Sequence, residues 1–137
     1  MGARRRPVMT GALHHVELWV PDLAGMRGPW GWLLGELGWT PFQDWPGGLS
    51  WKHGNGTYLV LEQSKALSGD THDRLAPGLN HLAFTVAGPG EVDRISASAP
   101  EHGWSLMFED RHPYAGGPES YAAYLEDGWG YEVEIAT

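Results

Sequence analysis

The segment "LHHVELWV", Leu13 to Val20, alternates in the period of a β-strand, with Val16, Leu18 and Val20 on one face and His15, Glu17 and Trp19 on the other. The first set is what a small core needs. The second set requires a reason. A near copy, "LNHLAFTV", runs from Leu79 to Val86 with His81 at the place of His15. The likeness continues through "LGW" (Leu37 to Trp39) against "HGW" (His102 to Trp104). It ends in "YLVLEQ" (from Tyr58) against "YEVEIA" (from Tyr131), aligned so that Glu62 answers Glu134. The chain reads as a tandem duplication.

Each copy has the same order of signals. In the first, the opening strand precedes a helix through Leu37 that Pro29 should kink or restart, and three strands follow, separated by Gly, Pro and Asn. In the second, Val92, Ile95 and Ala99 mark a helix near 91–101, before strands at "WSLMFED", "SYAAYLE" and "YEVEIA". The predicted fold is α+β, two tandem βαβββ modules forming a curved, partly closed mixed sheet around a central cavity. Module one covers about 11–64 and module two about 77–137, within one domain over 1–137 and after a flexible start at 1–10.

Composition narrows the functional classes. The 137 residues include no Cys, which excludes disulfides, thiolate metal sites and a Cys nucleophile. A net charge of −8 opposes nucleic-acid binding, and the Arg run of "ARRRP" is followed by no apolar stretch of signal-peptide or bilayer length. A soluble, cytoplasmic protein without nucleic-acid or membrane partners is expected. Eight Trp suggest a lined pocket or a large interface, although core packing can absorb them.

Alternation also tells which way the repeated polar residues point. Leu82, Phe84 and Val86 face the second helix, so His81 points away from it, as His15 does from the first; His14 falls on the helix side. Leu59 and Leu61 pack opposite Tyr58, Val60 and Glu62, and Tyr131, Val133 and Ile135 pack opposite Glu132 and Glu134. A lone strand His is ordinarily a satisfied core or edge residue. Two imidazoles and two carboxylates on equivalent faces, His15, Glu62, His81 and Glu134, instead suit one divalent cation, because unpaired buried carboxylates are costly and both groups are good ligands. Glu17 and Glu132 share that face as neighbours of the set or as solvated charges.

These paired modules, opened by "HHVELWV" and "NHLAFTV" and closed by "YLVLEQ" and "YEVEIA", resemble the vicinal oxygen chelate superfamily over nearly the whole chain, from about Leu13. That superfamily includes glyoxalase I, methylmalonyl-CoA epimerase, extradiol dioxygenases, fosfomycin-inactivating enzymes and bleomycin-binding proteins. The resemblance places metal ligands at His15, Glu62, His81 and Glu134, as in the glyoxalase and epimerase branches. A His15, His81, Glu134 set would match the dioxygenase and fosfomycin branches. One departure is "EDGWG", Glu126 to Gly130, where the family's "DPDG" turn usually stands.

The resemblance implies a metal-dependent enzyme of glyoxalase type, an isomerase, lyase or epimerase on a small oxygenated substrate, with Zn, Ni, Co, Mn or Fe(II) as Lewis acid. Glu134, with Glu62 as its counterpart, would transfer the proton. The alternatives are an antibiotic- or natural-product-binding resistance protein and an Fe(II) extradiol-type dioxygenase. Trp19, Trp51, Tyr58 and Tyr124 are candidates for the substrate wall, with Trp45 beside them. Arg111 and His112, in the Gly-rich "DRHPYAGGPE", are candidates for a lid or an anion-gripping loop. A homodimer whose cavities draw on both chains is the expected assembly.

Overall fold

The computed structural model describes residues 9–137; most of the segment expected to be flexible, residues 1–8, lies outside the described residues. Module one contains β1 (His15–Trp19), α1 (Leu23–Glu36), β2 (Thr40–Trp45), β3 (Gly48–Lys52) and β4 (Tyr58–Glu62). Module two contains β5 (His81–Thr85), α2 (Pro89–Ser98), a 3-10 turn (Ala99–His102), β6 (Ser105–Met107), β7 (Ala122–Glu126) and β8 (Glu132–Ala136). The sheets have matching orders, β1-β4-β3-β2 and β5-β8-β7-β6. Within each, the first strand runs parallel to the last and the remaining pairs are antiparallel. A parallel pair needs a crossover, and the helix lies in it. The fold is α+β, built as two βαβββ modules with curved, partly open mixed sheets.

Pro29 does not divide α1. The helix starts where Asp22 accepts the Gly25 N–H at 3.0 Å and continues to Glu36. Burial of Met26, Trp30, Leu33 and Leu34 on one side holds it through the missing Pro29 donor. Module two's helix is shorter than its pattern. At Pro100 the ladder loses a donor, the chain tightens into the 3-10 turn, and Gly103 closes it at φ 87°.

The two modules share one apolar core through their helix-covered faces, with α1, α2 and both sheets contributing. Trp30 meets Trp104 edge to face at 5.1 Å between centroids. Polar ends of the same aromatics also cross the junction. Trp30 Nε1 donates to buried Asp127 at 3.0 Å, Trp104 Nε1 donates to the Pro29 carbonyl at 3.0 Å, and the Tyr131 hydroxyl donates to the Trp19 carbonyl. Here "EDGWG" has its structural use, because Asp127 also accepts the Trp129 and Tyr131 N–H groups. Among the described residues, no helix is long and apolar enough to cross a membrane.

With the helix sides joined, the opposite sheet faces point outward. They carry the repeated polar residues.

Candidate metal and substrate site

Hydrogen-bonded register fixes which residues are equivalent in the two modules. His15 lies opposite Tyr58, Glu17 opposite Val60 and Trp19 opposite Glu62, whereas His81 lies opposite Glu132 and Ala83 opposite Glu134. Val60 therefore mirrors Glu134. Glu62 mirrors Ala136, two residues and about 7 Å further along its strand. The alignment of Glu62 with Glu134 is corrected by the ladder: a two-residue slip keeps the face and moves the position.

Module two brings its pair together. His81 Nε2 lies 3.2 Å from Glu134 Oε1. His81 Nδ1 lies 2.7 Å from Asn80 Oδ1, while Asn80 Nδ2 donates to the Arg74 carbonyl at 3.0 Å. That carbonyl can only accept, so the amide orientation is set: Oδ1 faces the ring and His81 carries its hydrogen on Nδ1. With the ring neutral, His81 Nε2 and Glu134 Oε1 present electron pairs to each other; with a hydrogen on both nitrogens, Nε2 donates to Glu134. A positive charge shared between them makes the approach favourable, and imidazole nitrogen with carboxylate oxygen is a donor set suited to a divalent ion. Beneath them Glu132 is buried, with Arg74 at 3.5 Å and His81 Nδ1 at 3.7 Å. Tyr124 meets His81 edge on at 5.9 Å. Burial, then the charge of Glu134, holds the Tyr124 phenol above its ordinary value.

Module one offers a different half. His15 stacks on Tyr58 at 4.8 Å and 10°, with Val60 where a carboxylate would mirror Glu134. His14 does not turn to the helix side. It precedes the first strand residue, where alternation has not begun, and its Nδ1 lies 2.9 Å from Nδ1 of His15. Glu17 is exposed and accepts from Trp19 Nε1 at 2.9 Å. Among the described residues of one chain, no group of three or more His, Cys, Asp or Glu side chains assembles to hold a metal.

The substrate-wall candidates divide. Trp19 and Tyr58 lie on the outward face of module one. Phe42, which the sequence reading overlooked, joins them at 5.3 Å from Tyr58, brought round by the irregular register between Pro41 and Gln43. Trp51 belongs to the core instead, as the alternation of Leu49 and Trp51 with Ser50 and Lys52 demands. Trp45 covers Gly48, where a Cβ would collide with its indole ring. The 110–119 loop closes on module two. Phe108 meets Tyr124 at 5.6 Å, the Arg111 guanidinium lies 5.0 Å from the Phe108 ring, and Gly116 leaves room for the Tyr124 hydroxyl. His112 is half-buried, its Nδ1 without a hydrogen-bond partner among the described residues. A cleft of about 420 Å³ between the modules is lined by Val16, Trp39, Tyr58, Leu82 and Phe84 among others, and His15, Glu62, His81 and Glu134 do not border it.

Comparison with known proteins gives this arrangement its class. The family model for the glyoxalase/bleomycin resistance protein/dioxygenase superfamily matches residues 14–124, and the chain belongs to that superfamily. It is 42% identical over 125 residues to the uncharacterized protein YqjT of Bacillus subtilis, covering 90% of this chain and 96% of that one. A crystal structure from Bacillus halodurans, of a protein proposed to be a glyoxalase, superimposes with a TM-score of 0.87 at 45% identity, covering 93% and 96% of the two chains. The fold is also that of FosX, a fosfomycin resistance protein of Listeria monocytogenes solved with manganese(II) and a dihydroxypropylphosphonic acid. That likeness has a TM-score of 0.63 at 19% identity, over 93% of this chain and 90% of that one.

Proposed function

We propose that this chain is a metal-dependent enzyme in which His15, His81 and Glu134 hold one divalent ion. The observation that carries this reading is the His81–Glu134 pair, 3.2 Å apart with the imidazole Nδ1 already committed to Asn80. A divalent ion held there supplies Lewis acidity toward two neighbouring oxygens of a small substrate. Trp19, Phe42 and Tyr58 flank the substrate and exclude water from one side, and Tyr124 does so from the other. Arg111, on the loop over module two, attracts an anionic substituent. Glu62, displaced from the position that mirrors Glu134, moves a proton on the substrate rather than holding the ion. An isomerase, lyase or epimerase acting beside a carbonyl follows from these roles.

The site is completed between two copies of the chain. One copy presents His15 without a carboxylate partner, the other presents His81 with Glu134, and both faces point outward. Trp19 and Phe42 are 43% and 45% exposed in the single chain, large aromatic surface that a partner's face would cover. A two-fold homodimer forms two such sites.

Metal analysis tests the reading. Protein purified without chelator should carry about one divalent ion per chain, lost in His15→Ala and in His81→Ala. A protein that stays metal-free in excess Zn, Ni, Mn and Fe(II), yet quenches its Trp fluorescence with an aromatic ligand, is a sequestering protein instead. The three-ligand set also favours a second reading, extradiol-type dioxygenation with Fe(II). Oxygen uptake with catechols separates it from proton-transfer chemistry.

A further inference from the structure

The duplication repeats a contact as well as a fold. In each module the residue immediately before the repeated histidine turns its side chain onto that histidine's Nδ1: Asn80 Oδ1 at 2.7 Å from His81, and His14 Nδ1 at 2.9 Å from His15. Both residues stand just ahead of the first strand residue, so neither is bound to the alternation that would send it to the opposite face. Nothing in core packing requires this, since His14 and Asn80 are exposed.

We propose that Asn80 and His14 are positioning residues that hold His81 and His15 as their Nδ1–H tautomers and keep each Nε2 free as the coordinating nitrogen. The inference rests on the metal-ligand reading of the two histidines. For His81 the assignment follows from the Arg74 carbonyl, which orients the Asn80 amide. Without Asn80, Nδ1 faces only Glu132 at 3.7 Å, beyond hydrogen-bond distance, whereas Glu134 at 3.2 Å would accept a hydrogen on Nε2, and the nitrogen needed for the ion would be blocked. For His15 the neighbour is another imidazole, able to donate or accept at Nδ1. It leaves His15 Nε2 free when His14 accepts and carries its own hydrogen on Nε2.

Long-range proton–nitrogen NMR spectra of the metal-free protein, at a pH where its imidazoles are neutral, report which ring nitrogen bears hydrogen. The wild type should show Nδ1–H at His81 and His15. Asn80→Leu should move the His81 hydrogen to Nε2 and weaken Mn(II) binding about 10- to 100-fold, and Asn80→Asp, which keeps an acceptor, should restore both. His14→Phe makes the same test in module one, independently of how well Asn80→Leu folds. Unchanged tautomers with unchanged Mn(II) affinity in Asn80→Leu and His14→Phe would overturn the proposal. Because the spectra need no metal, the expected tautomer shifts in a protein that binds no Mn(II) would support the positioning roles and reject the metal reading.

Discussion

At the scale of single residues, carboxylates that look alike in the sequence stand in different surroundings. Glu134 lies against His81, so Glu134→Gln should abolish stoichiometric Mn(II) binding in a calorimetric titration. Glu62 is displaced from the mirror position, so Glu62→Gln should keep the ion. Its turnover of small α-hydroxycarbonyl compounds, assayed under saturating Mn(II), should fall about 100-fold or more. Loss of the ion in Glu62→Gln would restore Glu62 as a ligand. Asp127 is a third case, buried in the module junction with three N–H donors. Burial outweighs those donors and holds its carboxyl above the ordinary value. The folded chain therefore binds a proton that the unfolded chain releases, and the stability this contributes is present below the ordinary carboxylate range and lost as pH rises through the raised value. Measured by urea unfolding, the stability of the wild type relative to Asp127→Asn should fall across that interval and then level. A rise with pH would contradict the assignment.

At the scale of elements, what was legible depended on whether the signal was local. The β1 and β5 strands, their inward and outward faces, and the outward direction of His15, His81 and Glu134 follow from alternation within a few residues. The pairing of β4 with β1 does not, because ladder register depends on the loops around it. Glu62 was therefore aligned two residues away from its true equivalent. Phe42 reached the site face only through an irregularity in β2, which no pattern announces. Asn80 and His14 left a visible trace, a polar residue before each repeated histidine, but strand alternation pointed His14 the wrong way. Trp51 was readable, since Ser50 and Lys52 on either side of it mark the polar face. Turns give the sharpest test. Gly130 has φ 94° and a Cβ there would strike the His72 carbonyl, so Gly130→Ala should destabilise by about 1–3 kcal/mol in urea unfolding. A neutral result would mean that the turn is not held as described.

At the scale of the whole molecule, the shared core makes the modules one cooperative unit. Trp104→Ala removes a fully buried indole that packs on Trp30 and should cost about 3–5 kcal/mol, with both modules melting together in calorimetry. Two separate transitions would contradict a single core. Joining the modules by their helix sides also turns the faces that carry His15 and His81 outward, and under the proposed function each chain then contributes one part to each of two sites shared with a second copy. The most direct measurement of that claim mixes two variants, His15→Ala and His81→Ala, each lacking one ligand and each unable to bind Mn(II) alone. After unfolding and refolding together, heterodimers regain one intact site of two, and the mixture should recover about a quarter of wild-type Mn(II) capacity. No recovery, with wild-type protein binding Mn(II) normally, would place both histidines of a site in the same chain and contradict the account.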